Sequence, residues 1–372
     1  MIKSGYMGFL IFVSMLIVFF VLPDLKGLQK PFRIILGLSF AIIYFALLIK
    51  KEISLKTLWP VVIGAFFVSL ILYKGTFQAA LVNAYLCLLG LFCLPHLFFT
   101  ITPIRKTNLN YIYIVCILSF LVQFLFFSSD DGRPSLAYQF NAAGAYLFLF
   151  FLFCDILDFK LGKLIVFVLS LIMLCRLLIF SIILFYLIRY SKNKYRDWLE
   201  KINATSIIIT SYIFFTLFSL WYVANVKVEK SNGISISRIS RLNDASNQMR
   251  FFSNTLVIGA IYADPLDEKV LFGFGHVENF LNTIKESAVM PHNELFDAIV
   301  EFGIITVLFF SLFSVPAFNK VTTYSNIEYF IPILFHTLIL WVRFLFVPSF
   351  EMIFILFMLY IKNENNKAFE SI

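Results

Sequence analysis

Ten apolar runs, each of a length that suits a hydrocarbon core of about 30 Å, occupy most of this sequence, at 5–22, 32–49, 57–73, 79–101, 110–128, 135–157, 202–223, 294–318, 328–347 and 350–361. Composition agrees: 60% hydrophobic residues, 14% charged residues and a mean hydropathy of +0.89 exclude a water-soluble globule. The 48 phenylalanines are scattered without a fixed period, which suits interhelical and lipid-facing packing. Cys87, Cys93, Cys116, Cys154 and Cys175 all lie inside apolar runs with no metal-ligand spacing, so neither a disulfide nor a metal centre is expected. Lys3 opens a run that reaches Leu22 with no small-residue cleavage site after it, which predicts a retained first span.

An eleventh run, 161–190, is too long for one crossing: as a single helix it covers about 45 Å, and as two helices about 22 Å each. Lys160 and Lys163 precede it, and Arg189, Lys192, Lys194 and Arg196 follow it. Short positive flanks belong in the cytoplasm, so both ends lie on one side and the run is a hairpin. The expected architecture is therefore an all-α polytopic integral membrane protein of about twelve transmembrane helices. Both termini are cytoplasmic, and one long external, periplasmic loop joins the later spans. The divisions are 1–223, an N-terminal transmembrane bundle; 224–293, the external loop; 294–361, C-terminal transmembrane helices; and 362–372, a cytoplasmic tail. Lys26, Lys30, Arg33 and Lys74 run against the charge rule. The net charge of +8 follows from the cytoplasmic bias, and no basic-aromatic groove supports binding of nucleic acid.

A hairpin puts Arg176, at the midpoint of the run, at the external tip, where it escapes most of the roughly 2.5–3.5 kcal/mol assigned to a central Arg. Such an Arg either snorkels to headgroups or faces a substrate. Within the long loop, Ile239, Leu242, Met249, Phe252 and Leu256 recur at helical intervals, which predicts a helix on the outer interface. Arg250, close to the next apolar stretch, is its candidate site residue. Asp264, Asp267 and Glu268 read as a solvated turn. Gly273 and Gly275 form a lone GxG without the partners of a dinucleotide site and read as a tight loop. In "VMPHNELFDAIVEFG", Pro291 breaks the preceding chain and Asn293 is a good N-cap, so a helix starts just after His292. Its dipole disfavours imidazolium and favours an anion there, which suits a neutral base beside arginines. His336 and Arg343, seven apart, are expected to line the same outer cavity.

Four pieces, in order, resemble the O-antigen polymerase/ligase family of bacterial polysaccharide assembly: "GRPSLAYQFNAAGAYL"; "LIMLCRLLIF", with Cys175 where the family has Ser; "NQMRFF" followed by "LFGFGH"; and "PHNELFDAIVEFGIITVL". The resemblance covers about residues 130 to 315 and implies transfer of a glycan from an undecaprenyl diphosphate carrier to a sugar hydroxyl. His292, Arg176 and Arg250 are its implied catalytic residues. Arg133, Asn141, Asn293, Glu301 and Arg343 are the expected substrate-binding residues. The implied partners are a lipid-linked donor and acceptor, the bilayer and a chain-length regulator protein, at the bacterial inner membrane with the site facing the periplasm; no cofactor is expected. A polymerase and an O-antigen ligase share this chemistry and differ in acceptor; the modest external loop favours the polymerase. A lipid-linked oligosaccharide flippase is the rival of another class, but it predicts midplane polar groups in two related halves, and no internal repeat is visible.

Overall fold

Where the chain is described, the apolar runs fold as helices, and the residue types at their ends explain where each begins. The computed structural model describes residues 4–22, 29–73, 79–127, 140–173, 175–201, 203–226, 245–275, 279–280, 293–340 and 343–370. The main helices are α1 (Ser4–Leu16, continued by a π turn, Ile17–Val21), α2 (Gln29–Ile49), α3 (Leu58–Tyr73), α4 (Ala79–Leu97), α5 (Pro103–Phe126), α6 (Phe140–Ile156) and α7 (Lys160–Met173). They continue with α8 (Arg176–Ser191), α9 (Ala204–Asn225), α10 (Ala245–Ala263), α11 (Glu268–Phe272), α12 (Glu294–Val321), α13 (Ile327–Ile339) and α14 (Phe350–Glu370). No strand occurs among the described residues. Thr102 caps α5 by accepting from the Arg105 amide ahead of Pro103, and Asn203 caps α9 by accepting from Ser206 N–H at 2.7 Å, as side-chain oxygens do at helix starts.

Five helices are long and apolar enough to cross a membrane: α2, α4 (from Ala80), α5, α9 and α12. Their outward faces are apolar too, with Ile42 71%, Leu125 81% and Phe214 69% exposed, far more than a water-soluble surface presents as a continuous belt. Two helices form the centre. Residues 142–155 of α6 and 350–359 of α14 are buried on every face, the mark of a core helix. Phenylalanines fill the space around them: Phe12 stacks on Phe354 at 5.1 Å, and Phe20 meets Phe150 edge-on at 5.2 Å. Such pairs add to burial.

Polar groups gather at the two ends of this apolar centre. At one end, Asp155 of α6 accepts from both terminal nitrogens of Arg189 (3.0 and 2.5 Å), from Lys163 (2.9 Å) and from the Tyr329 hydroxyl. Lys163 lies near the start of α7 and Arg189 near the end of α8, so one carboxylate ties both together and the pair is a hairpin, as the flanking charges implied. Glu328 binds Lys192 beside it (2.9 and 3.0 Å), and Asn363 of α14 donates to Val321 O at 2.6 Å. At the opposite end, Glu351 of α14 pairs with Arg33 at 2.8 Å and accepts from Tyr146 at 2.6 Å, while Gln29 donates to Val18 O and Leu22 O. Arg33, an exception to the charge rule, is thus a paired group.

One expectation is corrected. Residues 328–347 do not form one span: α13 stops at Ile339, residues 343–349 are not helical, and α14 restarts at Phe350 and runs on through the expected tail to Glu370. Pro348 disfavours helix at the residue before it, and Ser349 caps the restart by accepting from Met352 N–H at 3.0 Å. The helix foreseen within the long loop, α10, packs Phe251 against Phe215, Phe218 and Tyr222 of α9.

Asp155 is expected to dominate the stability of the hairpin. Asp155→Ala strands Arg189 and Lys163 and is expected to destabilise by about 3–5 kcal/mol, read as a lowered unfolding temperature in detergent, with Asp155→Asn falling between it and the parent.

Candidate functional site

Three interruptions of helix occur at the end of the bundle away from Asp155, and the candidate residues sit on them. The first separates α7 from α8. Cys175 precedes α8 without a side-chain cap bond, and a Cβ at Gly144 of α6 would fall 2.6 Å from the Cys175 sulfur, so glycine makes room for the break. Arg176 is the first residue of α8. Antiparallel contacts of α8 with α13, Phe180 to Phe335 at 4.7 Å and Phe185 to Tyr329 at 5.3 Å, set Arg176 level with the last turn of α13.

The second interruption lies within α12. Asn293 caps it, accepting from Leu295 N–H at 2.9 Å and Phe296 N–H at 3.3 Å, and its amide donates to Leu338 O of α13 at 3.3 Å. Fully buried, this cap fastens the start of α12 to the last turn of α13. Ten residues on, Gly303 leaves helical geometry with φ 80°. Gly273, at φ 92°, sits against it: a Cβ there would lie 2.3 Å from Glu301 O, and one on Gly303 would lie 2.3 Å from Leu271 O. Phe274 N–H donates to Val300 O at 2.8 Å. The GxG is therefore more than a tight loop, because its first glycine lets two backbones touch where α12 breaks.

The third interruption is 343–349. Its amides converge on one side chain: Glu294 accepts from Phe344 N–H (3.0 Å), Leu345 N–H (2.8 and 3.0 Å) and Phe346 N–H (2.7 Å). Ser314 donates to Phe346 O at 3.0 Å, and Ser349 donates to Arg343 O. Held this way, Arg343 meets Asp297 at 3.5 Å, contacts Glu301 directly, and lies over the Phe302 ring at 4.6 Å.

The structure thus brings Asn293, Glu301 and Arg343 together and sets Arg176 at the same level of the bundle. Asn141 begins the second residue of α6, one turn before Gly144, and Arg250 belongs to α10 next to the docked Phe251. His292 and Arg133 lie outside the described residues; Asn293 is the chain neighbour of His292. His336 does not line an open cavity. It is fully buried and stacked on Phe148 at 5.0 Å, with neither ring nitrogen hydrogen-bonded. Asp264 accepts from Leu266 N–H (3.2 Å) in the turn foreseen for that acidic stretch, and Asp267 also caps α11 by accepting from Lys269 N–H (2.6 Å). Among the described residues, no group of three His, Cys, Asp or Glu could hold a metal ion.

Sequence reasoning passed over Glu294, Asp297 and the Arg33–Glu351–Tyr146 cluster. The first two carried a signal, since 294, 297 and 301 share one helical face inside an apolar run, where an ionisable group is functional by default. Arg33 and Glu351 carried the same signal, each an ionisable group inside an apolar run, but nothing local pairs residues on the second and the last helix. Comparison with protein-family models, with curated proteins and with solved structures finds no match to this chain.

Glu294 yields a direct test. Glu294→Ala deprives three buried amides of their acceptor, each worth about 1–3 kcal/mol, so it is expected to lower the unfolding temperature in detergent clearly. Glu294→Gln, which keeps one acceptor oxygen and the side-chain volume, is expected to lower it less.

Proposed function

We propose that this chain is a membrane glycosyltransferase that joins undecaprenyl-diphosphate-linked oligosaccharide repeat units into O-antigen or a related surface polysaccharide. The observation that carries this reading is the placing, at the same end of an apolar bundle, of an arginine at a helix start (Arg176), a second arginine on non-helical backbone (Arg343) and a capped helix N-terminus (Asn293). Those are the groups that receive an anion from the edge of a lipid phase. Non-helical backbone at such depth is tolerated where it lines a cavity or is buried in protein. From Phe350 to Asn363, α14 rises about 20 Å, so in this reading the segment 343–349 lies about 10 Å inside a core of about 30 Å. A recess of that depth lets a polyprenyl chain approach from the bilayer while its diphosphate meets water-side groups.

In the proposed reaction the lipid diphosphate leaves with its bonding electron pair and needs charge neutralisation rather than a proton. Arg176 and Arg250 supply planar guanidinium forks for it, and Arg343 and Asn293 bind the sugar-phosphate region with Arg133, Asn141 and Glu301. His292 accepts the proton of the acceptor hydroxyl or holds that hydroxyl in line. The end bearing Asp155 also gathers Lys163, Arg189 and Lys192. By the charge rule it faces the cytoplasm, which turns Arg176 and Arg343 to the periplasm. About twelve spans with an external 224–293 segment belong to the same proposal, as does a chain-length regulator as partner.

Sidedness is read by cysteines introduced singly: a membrane-impermeant thiol reagent is expected to label Asp267→Cys in intact spheroplasts and to miss Asn193→Cys. Activity is read by deletion. Loss of a polymerase leaves lipid A core carrying one repeat unit, whereas loss of a ligase leaves bare core with accumulated lipid-linked polymer, and loss of a flippase traps single units in the inner leaflet. Either of the last two patterns rejects the polymerase. Arg176→Lys keeps the charge but loses the bidentate fork, so transfer by the purified protein is expected to fall at least tenfold; a near-neutral effect returns Arg176 to a headgroup role.

A further inference from the structure

The end of the bundle that bears Asp155 holds more positive charge than its ion pairs use. Two carboxylates lie innermost there, Asp155 of α6 and Glu328 of α13, with side chains 3% and 1% accessible. Among the described residues, four cations cover them: Lys163 of α7, Arg189 of α8, Lys192 just beyond α8 and Lys362 of α14. Lys163 and Arg189 both bond one oxygen, Oδ1 of Asp155, at 2.9 and 3.0 Å. Lys192 bonds Glu328. Lys362 lies over the Tyr329 ring at 5.5 Å, within electrostatic reach of both acids but bonded to neither. Four positive charges thus meet two negative ones. The adjoining turns leave that difference in place, because their Asp158, Asp197, Glu200 and Glu364 are matched in number by Lys160, Lys194, Arg196 and Lys201. Layering decides what the surplus can do. The side chains of Lys192, Lys163 and Arg189 are 16%, 19% and 31% accessible, so an arriving group meets the cations and not the acids beneath. Like charges held this close and partly removed from water repel one another until a further anion joins them. The surface beside them is apolar: Leu164 follows Lys163, Leu187 precedes Arg189 by two residues, and they are 58% and 60% exposed. Tyr190, 91% exposed, is of the aromatic type that sits at headgroup level. Apolar faces that take acyl chains, ending in a cationic cluster that takes a phosphate, fit an acidic phospholipid.

We propose that the cations over Asp155 and Glu328 bind the phosphate of an anionic phospholipid headgroup. The inference goes beyond the glycosyl-transfer reading and uses none of its site residues. The phosphate oxygens accept from Lys163, Arg189 and Lys362, while Asp155 and Glu328 hold the cationic layer from beneath. Because those three cations belong to α7, α8 and α14, one bound lipid joins the hairpin to the last helix and offsets the repulsion between them.

The test uses the purified full chain in detergent, titrated separately with phosphatidylglycerol, phosphatidylcholine and inorganic phosphate. Unfolding temperature is read throughout, and native mass spectrometry reads the lipid retained. Phosphatidylglycerol is expected to raise the unfolding temperature saturably, as a ligand of the folded state does, whereas phosphatidylcholine and inorganic phosphate leave it unchanged. Lys163→Gln and Lys362→Gln are each expected to weaken binding of phosphatidylglycerol about fivefold, the worth of one basic residue near such a headgroup. Lys362→Arg, which keeps the charge, is expected to restore it. Lys56→Gln, at an exposed lysine ahead of α3, reports general surface charge and is expected to stay within about twofold of the parent. Lys362→Gln leaves every ion pair of the cluster in place, so it decides alone if Lys163→Gln does not fold. A parent that takes phosphatidylcholine as well as phosphatidylglycerol overturns the proposal. So does a Lys362→Gln protein that binds phosphatidylglycerol as the parent does, or a loss at Lys56→Gln as large as that at Lys362→Gln. A rise with inorganic phosphate equal to that with the lipid assigns the site to a soluble anion and overturns the headgroup.

Discussion

Buried backbone amides and carbonyls need partners, and in a bundle whose interior is phenylalanine they find them only within helices or on a few well-placed side chains. Among the described residues near the candidate site, that demand is met in specific ways. The amides of 344–346 are taken by Glu294, the start of α12 by the Asn293 side chain, and the break at Gly303 by contact with the backbone around Gly273. These bonds let the described bundle leave regular structure there. Asn293, Glu301 and Arg343 are carried on or beside those same departures, so their geometry and the bonding of the backbone are fixed together.

Much of this could be read from residue order. Run lengths and flanking charges anticipated the α7–α8 hairpin, since a basic cluster on both sides of 161–190 admits few other arrangements. Asn293 as a cap was legible because capping is local chemistry: one side chain and the two amides that follow it. What escaped was non-local. The demand of three amides on Glu294 comes from a segment about fifty residues later, and the stop at Ile339 depends on what the following backbone can bond to, which hydropathy does not encode. His336 looked like a cavity residue because it stands seven residues before Arg343 in one apolar run, whereas its burial against Phe148 follows from which face of α13 meets α6.

The two polar ends of the bundle differ in electrostatic character. Around Asp155 and Glu328, carboxylates are met by a surplus of basic groups with good geometry, and such a closed network holds shape. At the other end Arg343, on non-helical backbone, lies against Asp297 and Glu301 on adjacent turns of α12.

Asp155 also bears on how the chain is assembled during synthesis. Its bonds to Lys163 and Arg189 close within 34 residues, while its bond to Tyr329 spans 174. Since a growing chain folds from its N-terminal side, α6, α7 and α8 can pair Asp155 with their own Lys163 and Arg189 and assemble as one three-helix piece before α13 is made. The Tyr329 hydroxyl then meets a carboxylate already in place, so the first part of the bundle acts as the template on which α13 is seated and the late helices take their register.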